Sequence, residues 1–307
     1  MITTRKLSEY PRREWFQNLP DACPGCSMPI ILRLLLKAME GKVSFVSCAG
    51  CSQVVFFESK SKDYRLDYRG DSISSLWVPF GQTARCAGGL KRALVAKGDT
   101  DTQVVVWAGD GAFFDIGLGG LSAAAHRNED IICVCIDNEA YQNTGNQASS
   151  ATPNSVKTST SHFPKVQSQQ KKSMALIMAA HNIPYYASAT LAYPDDFLKK
   201  VQKAKNIKGF RFLHIFSPCP TGWGYPSRLT VKLSRLAVKT RIFPLLEIEG
   251  KSHVTINCKE PNVLPVDEYI KLQGRYIHRT PQVIASLQKE VDETWDWLEW
   301  LESYKRL

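Results

Sequence analysis

The stretch that decides the fold is QVVVWAGDGAFFDIGLGGLSAAAHRNEDIICVCIDN, which covers residues 103–138. Two apolar runs, Gln103–Trp107 and Ile131–Ile136, flank Gly117–Arg127, a small-residue stretch typical of a closely packed helix. Continuous apolar runs joined by a helical crossover are typical of parallel strands that are buried on both faces. The stretch therefore predicts a right-handed βαβ unit.

The same alternation of strands and helices extends to both sides of this unit. Further strands are predicted at 43–46, 184–188, 212–216 and 244–248, and helices at 30–38, 83–96, 171–181, 194–205, 228–239, 266–271 and 282–304. Residues 58–76 are predicted to form an exposed excursion, and residues 139–161 a long functional or disordered loop. We expect an α/β fold with a mostly parallel, doubly wound sheet in a single domain over residues 1–307.

Charge and hydropathy exclude several classes of protein. Lys and Arg outnumber Asp and Glu by 39 to 29 in the 307 residues, which favours an acidic partner. The basic residues are dispersed, with no arginine-rich arm or RNA-binding aromatic signature, so we expect no nucleic-acid partner. No apolar run approaches the length of a membrane span, and residues 1–16 have no signal core. The sequence predicts a soluble cytoplasmic protein.

Two predicted strands end in residues suited to a diphosphate and its metal. Gly109-Asp110-Gly111 follows one strand and Asn138 follows the next, so both lie at the same edge of the predicted sheet. A Gly-Asp-Gly turn can bring backbone N–H groups and one carboxylate close to a pyrophosphate and its Mg²⁺, with an amide oxygen as a second ligand. The glycines remove the side chains that would block this approach.

Nine cysteines are an odd number for a disulfide framework and point to metal or redox chemistry. Cys23, Cys26, Cys51 and Cys219 each lie at the predicted end of an element. Zinc modules combine two close pairs, whereas two of these ligands are single and distant, which favours a [4Fe-4S] cluster. Cys48 lies three residues before Cys51 and competes with it as a ligand. The remaining cysteines fit small buried side chains: Cys86, Cys133, Cys135 and Cys258.

These motifs, in this order, resemble the β subunit of pyruvate:ferredoxin oxidoreductase and its 2-oxoacid relatives. The resemblance covers most of the chain and is weakest between Phe56 and Val78. It is carried by Ala22-Cys23-Pro24-Gly25-Cys26, Gly50-Cys51, Gly109-Asp110-Gly111-Ala112-Phe113-Phe114-Asp115-Ile116-Gly117, Asp137-Asn138-Glu139-Ala140-Tyr141-Gln142-Asn143-Thr144-Gly145, Ser217-Pro218-Cys219-Pro220-Thr221-Gly222-Trp223 and Lys271-Leu272-Gln273-Gly274-Arg275.

The resemblance implies a thiamine-diphosphate-binding fold in which cysteine loops hold an iron–sulfur cluster. Region 1–55 would supply cluster ligands, 103–147 the pyrophosphate and Mg²⁺ motif, and 212–307 the fourth cluster ligand and a C-terminal helical extension. Asn143 would be the catalytic residue at the reactive end of the cofactor. The expected cofactor-binding residues are Gly109, Asp110, Gly111, Ala112, Asn138, Ala140, Asn143 and Thr144; Asp110, Asn138 and the Ala140 carbonyl would bind Mg²⁺, and Cys23, Cys26, Cys51 and Cys219 one [4Fe-4S] cluster.

The chain has no convincing candidate for the glutamate that activates thiamine diphosphate or for the arginines that bind the substrate carboxylate. The resemblance implies that an α subunit supplies both, that a further subunit or domain carries more [4Fe-4S] clusters, and that ferredoxin accepts the electrons. A dimer of hetero-oligomers is expected.

The resemblance favours oxidative decarboxylation but leaves the substrate open. Residues 138–147 and the fourth cysteine favour a pyruvate-type 2-oxoacid, whereas residues 56–89 depart from that pattern and keep oxalate as an alternative. Two other hypotheses remain at this point. One is a non-redox thiamine carboligase or decarboxylase, and the other is a zinc-stapled basic nucleic-acid-binding protein.

Overall fold

One eight-stranded sheet runs through the chain in a computed structural model that describes residues 21–57, 73–161, 169–250 and 253–304. Its strands are β1 (Val43–Cys48), β2 (Ile73–Val78), β3 (Gln103–Gly109), β4 (Ile132–Asp137), β5 (Tyr185–Thr190), β6 (Arg211–Phe216), β7 (Leu246–Glu249) and β8 (His253–Ile256). Their order is β2-β1-β3-β4-β6-β5-β7-β8. The first six strands in this order are parallel, and β7 and β8 are antiparallel.

Helices cover both faces of the sheet. They are α1 (Met28–Met39), α2 (Cys51–Phe57), α3 (Thr83–Ala96), α4 (Leu118–His126), α5 (Met174–Ala180), α6 (Pro194–Asn206), α7 (Pro220–Trp223), α8 (Thr230–Lys239), α9 (Asp267–Ile270) and α10 (Pro281–Ser303). Helices α1 and α6 pack together on one face, and α3, α4, α5 and α10 contribute to the core on the other. In the described ranges, no helix combines the length and apolarity needed to cross a bilayer.

The central strands are buried on both faces, which is why their sequences are continuous apolar runs rather than alternating ones. Successive side chains of a strand point to opposite faces. Phe45 and Trp107 therefore pack against the α1 and α6 side, while Val46 and Val106 pack against the opposite core.

The order of the strands creates a crevice at the carboxyl edge of the sheet. From β1 the chain continues to β2 on one side, and β3 returns to the other side of β1 and continues to β4. The loops after β1 and β3 therefore diverge, and such a topological switch point is where open α/β sheets bind ligands.

The predicted βαβ unit over residues 103–138 is confirmed, because β3 and β4 are parallel neighbours joined through α4. Elements α2, β2, α7 and β8 were not predicted. Strand β2 overlaps the predicted excursion at 58–76, of which residues 58–72 lie outside the described ranges. The prediction was wrong for residues 73–76, because they belong to the edge strand β2. Residues 74–77 of this strand are exposed, so its sequence contains no apolar run that would indicate a strand. The helix predicted at 171–181 begins only at Met174.

Candidate active site

Asp110 lies at the carboxyl end of β3, where the chain leaves the sheet in a tight turn. Its side chain is buried, with 1% of its surface exposed. A short π-helical turn, Gly111–Asp115, follows it. A Cβ added at Gly111 would lie 2.3 Å from the ring of Tyr141, so a side chain there would collide with the loop after β4. The glycine allows this close approach.

The side-chain amide of Asn138 reaches two oxygen atoms at this turn. With its NH₂ group towards them, the amide donates to the carbonyl oxygen of Ala140 at 2.7 Å and to Oδ1 of Asp110 at 3.1 Å. Turned by 180°, the same amide would place its oxygen beside those two. We call the Asp110 carboxylate, the Asn138 amide oxygen and the Ala140 carbonyl oxygen the three-oxygen set. Neighbouring ligands of an octahedral Mg²⁺ ion are about 2.9 Å apart at its usual bond lengths. With the Asn138 amide turned, its oxygen would lie at close to this spacing from the other two predicted magnesium ligands.

The electrostatic environment of Asp110 also suits a cation. Burial and the nearby carboxylate of Asp137 raise the pKa of Asp110 well above its ordinary value, although the Ser149 hydroxyl donates a 2.6 Å hydrogen bond to Oδ2. The charge of Lys171 lowers the pKa of Asp110 only in part, since this lysine pairs with Asp137 at 2.5 Å. A divalent cation at the three oxygens would supply the positive charge that Asp110 lacks.

A cavity of about 350 Å³ opens beside these oxygens. Residues 49–52 after β1, 109–112 after β3 and 140–144 after β4 line it, together with apolar side chains such as Phe80 and Ile116. The cavity therefore lies at the topological switch point. All eight predicted cofactor-binding residues line it. Among the described residues, no glutamate, lysine, arginine or histidine contributes to the lining.

The thiols of Cys23, Cys26, Cys51 and Cys219 lie close enough to influence one another. Burial raises the pKa of Cys51 to about 12, and the charges of the other three thiols each add to this increase. Burial raises the pKa of Cys26 to about 11, again with contributions from Cys219 and Cys23. Cys23 also raises the pKa of Cys219. The pKa of Cys48 is raised by burial without any contribution from these thiols, so Cys51 and not Cys48 belongs to this thiol group.

The four thiols do not form a closed site. Within the ranges that the structure describes, no three His, Cys, Asp or Glu side chains are arranged to hold a metal ion. A tetrahedral zinc site would require sulfur atoms about 3.8 Å apart. The three-oxygen set is a different kind of group, since only one of its members is a carboxylate. The iron–sulfur part of the predicted fold class stays a prediction.

The loops that carry the thiols have defined local geometry. The backbone N–H of Cys26 donates to the carbonyl of Cys23 at 2.9 Å, and Gly25 between them has φ +78°. Proline followed by a left-handed glycine is typical of a type II turn. Cys219 caps α7, where the backbone N–H of Gly222 donates to its Sγ at 3.3 Å.

Cys51 connects the thiol group to the cavity beside Asp110. Sγ of Cys51 lies 3.9 Å from Oδ1 of Asn143, and both residues line the cavity. The residue predicted to be catalytic is thus adjacent to a residue predicted to bind the cluster.

An ion-pair network behind the site was not predicted from the sequence. Asp137 accepts hydrogen bonds from Lys171 at 2.5 Å and His214 at 2.7 Å. Burial alone would raise the pKa of Asp137, but these two partners outweigh it and hold this pKa well below its usual range. Glu139 pairs with Lys171 at 3.1 Å and with Arg275 at 2.6 Å. Asp137, Glu139 and Arg275 lie in the sequence motifs, whereas nothing in the sequence singled out Lys171 or His214.

Trp223 connects the thiol loops to the three-oxygen set. Its indole Nε1 donates a 2.9 Å hydrogen bond to the backbone carbonyl of Asn138. The guanidinium of Arg275 lies 3.6 Å from the centre of its ring. Because Trp223 is the last residue of α7, which Cys219 caps, the two sites share a rigid contact.

This fold and site define the class of thiamine pyrophosphate enzymes: the chain matches "Thiamine pyrophosphate enzyme, C-terminal TPP binding domain" over residues 49–215. It is 39% identical over 290 residues to pyruvate synthase subunit PorB of Methanocaldococcus jannaschii, covering 94% of this chain and 97% of the relative. It is 38% identical over 303 residues to ketoisovalerate oxidoreductase subunit VorB of Pyrococcus furiosus, covering 95% and 94%. The chain belongs to the PorB/VorB family of β subunits of 2-oxoacid:ferredoxin oxidoreductases.

A solved structure has the same fold. The 2-oxoglutarate:ferredoxin oxidoreductase from Magnetococcus marinus superposes with a TM-score of 0.57 at 22% identity, covering 75% of this chain and 81% of that chain. The predicted family, the α/β thiamine-binding fold and the assignment as an oxidoreductase are therefore confirmed. As a subunit of this family, the chain works in a multi-subunit complex.

Proposed function

We propose that this chain is the thiamine- and cluster-binding half of an enzyme that oxidatively decarboxylates a short 2-oxoacid. The observation that carries the proposal is that the Asn138 amide reaches both the Ala140 carbonyl and the Asp110 carboxylate, within 3.1 Å, beside a cavity at the topological switch point. Asp110, Asn138 and the carbonyl of Ala140 would hold Mg²⁺ and, through it, the diphosphate.

The other lining residues have separate tasks in this proposal. Gly109, Gly111 and Ala112 present backbone close to the diphosphate, since no long side chain intervenes. Asn143 and Thr144 lie further along the same cavity and would orient the reacting end of the cofactor and the substrate. When bound, thiamine diphosphate supplies the carbanion stabilisation that decarboxylation of a 2-oxoacid requires.

Cys23, Cys26, Cys51 and Cys219 would bind one [4Fe-4S] cluster as the first electron acceptor. The effect of neighbouring thiols on the pKa values of Cys26, Cys51 and Cys219 supports a shared site, because such effects act only at short range. Bound iron would stabilise the thiolate forms. The contact between Cys51 and Asn143 would bring this acceptor next to the cofactor.

A partner α subunit would complete the active site. The described cavity lining offers no glutamate to activate the cofactor and no basic side chain to bind a substrate carboxylate. We assign both groups to that subunit, and further [4Fe-4S] clusters to another subunit or domain. Ferredoxin would be the final acceptor, and the assembly a dimer of hetero-oligomers, so the isolated chain would be inactive.

A pyruvate-type substrate fits the site better than oxalate does. PorB and VorB are named for pyruvate and ketoisovalerate, which both carry an alkyl group. Phe80 and Ile116 would give an alkyl group apolar surface, whereas oxalate has no alkyl group to place there.

The test is anaerobic isolation of the complex with its partner subunits, followed by metal analysis and turnover assays. We expect iron, Mg²⁺-dependent thiamine binding, and reduction of a viologen dye with pyruvate or ketoisovalerate but not with oxalate. Turnover of oxalate alone would replace the substrate assignment. A colourless protein that is active without iron would favour the non-redox carboligase, and zinc with salt-dependent nucleic-acid binding would favour the zinc-stapled binder.

A further inference from the structure

A second cavity lies between the sheet and helices α5 and α10. Its volume is about 220 Å³, and strands β5, β6 and β7 contribute to its lining. Among the residues that the structure describes, it shares no lining residue with the cavity beside Asp110. Asn138 and Ala140 line the cavity beside Asp110, whereas Glu139 between them lines the second cavity. The two cavities are therefore separate and lie on opposite sides of one short segment.

Aliphatic and aromatic side chains form much of the wall of the second cavity. Helix α10 contributes one face, on which residues follow at intervals of three, one and three: Leu287, Glu290, Val291 and Thr294. Further apolar side chains complete the wall: Met174, Ile242, Phe243 and Leu246. The volume is below the about 300–1,000 Å³ that is typical of pockets for drug-sized ligands. The wall and the volume therefore suit a small molecule with an aliphatic group.

Glu290 brings a carboxylate without a counter-charge to this wall. Its side chain is half-buried, and burial together with the charge of Glu293 raises its pKa. No basic group and no hydrogen-bond donor in the described ranges offsets this increase. Carboxylates in such surroundings are stabilised by a nearby cation or N–H group. A ligand with an ammonium group would supply both.

Arg241 brings a hydrogen-bond donor of the opposite charge. Its guanidinium lies 4.3 Å from the centre of the Trp295 ring and 3.8 Å from the carboxylate of Glu299. Its Nε is buried and has no hydrogen-bond partner within the described part of the chain. Trp295 follows Glu290 by five residues on α10, which corresponds to about 7.5 Å along the helix. The unpaired donor and the unpaired carboxylate are thus about one and a half helical turns apart.

The other charged groups in the described lining already have partners. Lys171 and Glu139 pair with each other at 3.1 Å, and Lys172 donates to the carbonyl of Phe114 at 2.8 Å. The carboxylate on α10 and the guanidinium nitrogen beside Trp295 are therefore the charged groups best placed to bind a ligand in this cavity.

We propose that the second cavity binds a small aliphatic α-amino acid. Its ammonium group would donate to Glu290, its carboxylate would accept from Nε of Arg241, and its side chain would pack against the apolar wall. A simple anion would leave the Glu290 carboxylate unpaired, and a simple cation would leave the Arg241 donor unpaired, so a zwitterion satisfies both groups. The inference does not rest on the proposed function, because thiamine diphosphate and the 2-oxoacid would occupy the other cavity.

The test is calorimetric titration of the complete enzyme, isolated anaerobically with its partner subunits and saturated with thiamine diphosphate and Mg²⁺. The probes are L-valine, 3-methylbutanoate, which lacks the ammonium group, and 2-methylpropylamine, which lacks the carboxylate. We expect L-valine to bind at least about 10-fold more tightly than either analogue, since each analogue loses one hydrogen bond between charged groups.

Two variants assign each end of the ligand to its partner. Glu290→Gln should weaken L-valine binding by about 10-fold or more and leave 3-methylbutanoate binding unchanged. Arg241→Lys keeps the charge but removes the Nε donor, so it should weaken both of these ligands and leave 2-methylpropylamine binding unchanged. Asp296→Asn is the matched control, because Asp296 is exposed on α10 and outside the described lining, and it should bind all three probes like the wild type.

Three results would overturn the proposal: no binding of L-valine to the wild type, wild-type affinity for L-valine in both Glu290→Gln and Arg241→Lys, or an equal loss in Asp296→Asn. Displacement of L-valine by excess pyruvate would also overturn it, because the amino acid would then occupy the cavity beside Asp110. A complex that binds L-valine in the expected pattern but turns over no 2-oxoacid would refute the proposed function alone.

Discussion

Replacing Asp110 by asparagine should stabilise the cofactor-free protein while abolishing the proposed metal site. The introduced amide can keep its oxygen towards the NH₂ group of Asn138, which donates across 3.1 Å. Its own NH₂ group can then donate to the Ser149 hydroxyl, which is 2.6 Å from the carboxylate in the wild type. Both hydrogen bonds are therefore kept, and neither changes the stability much.

The gain in stability comes from charge. Because the folded-state pKa of Asp110 is raised, its carboxylate destabilises the fold at pH values above the unfolded pKa, and a neutral amide removes this cost. We expect an increase of about 1–3 kcal/mol in the free energy of unfolding at pH 7. For a chain of this size, that corresponds to a rise in Tm of about 2–6 °C.

Binding of the cofactors should make the wild type more stable than Asp110→Asn. Thiamine diphosphate and Mg²⁺ at 100 times Kd would stabilise the wild type by about 2.7 kcal/mol. Asp110→Asn loses a charged ligand, so its Mg²⁺-dependent affinity for thiamine diphosphate should fall by at least about 100-fold, more than the usual effect of removing an indirect ligand contact. Thermal melts with and without cofactors, together with calorimetric titration, measure both quantities.

Asp115→Asn is the matched control. Asp115 is on the same turn but outside the three-oxygen set, and it accepts hydrogen bonds from Tyr141 at 3.0 Å and the backbone of Ser150 at 3.2 Å. Its neutral variant should melt lower in both conditions and keep Mg²⁺-dependent binding. The reasoning is refuted if Asp110→Asn melts below the wild type without cofactors, or binds thiamine diphosphate with unchanged affinity.

The remaining predictions concern the thiols, two glycines and one buried carboxylate. Cys219→Ala should lose the cluster iron and its absorbance near 400 nm but keep thiamine diphosphate binding, because the two ligand sets come from different loops. Cys48→Ala should keep both the iron and thiamine diphosphate binding. Iron analysis and a thiamine diphosphate titration compare the two variants. Gly25→Ala should destabilise the protein by about 2 kcal/mol or more in thermal melts, because Gly25 has a φ of +78° and an added Cβ would lie 2.7 Å from the backbone of Ser227. Gly89→Ala, in an exposed part of α3, should instead stabilise the protein by about 0.5–1 kcal/mol. Asp137→Asn should destabilise the protein at pH 5–8 by about 3–5 kcal/mol. The difference in denaturant midpoint between the wild type and this variant should shrink as the pH falls below about 4. The reason is that the lowered folded-state pKa of Asp137 contributes its full stability only above the pKa of the unfolded state.

Each of these has a contradicting result. Iron retained in Cys219→Ala, or lost in Cys48→Ala, would reverse the choice of ligands. A Gly25→Ala melt equal to that of the wild type would mean that the turn can relax. A loss of stability in Asp137→Asn that is the same at pH 3 and pH 7 would show that packing, rather than its ion pairs, sets the role of Asp137.

The βαβ unit and its Gly-Asp-Gly turn were predictable because burial on both faces leaves a continuous apolar run, and parallel strands end at one edge. The edge strand β2 was not predictable, since four of its six residues are exposed and no apolar pattern remains. The choice between Cys48 and Cys51 also needed the structure. Both follow the same apolar run, but Cys48 is the last residue of β1 and points into the core.

The buried network behind the site depends on long-range contacts that spacing cannot reveal. Lys171 reaches Asp137 from 34 positions along the chain, and His214 from 77. Neither residue lies in a motif, and each was interpreted as part of a helix or a strand. The contact of His214 with Asp137 follows from the pairing of the neighbouring parallel strands β4 and β6, which brings His214 next to the end of β4.

Asn138 uses its two oxygens in opposite directions. The side-chain oxygen belongs to the three-oxygen set, while the backbone oxygen accepts the indole N–H of Trp223 and, at 3.3 Å, the amide of Gln142. Helix α7, which Cys219 caps, is thus tied through one indole to the residue that would hold magnesium. The fold itself would therefore set the separation between the proposed metal–sulfur centre and the seat of the vitamin-derived cofactor.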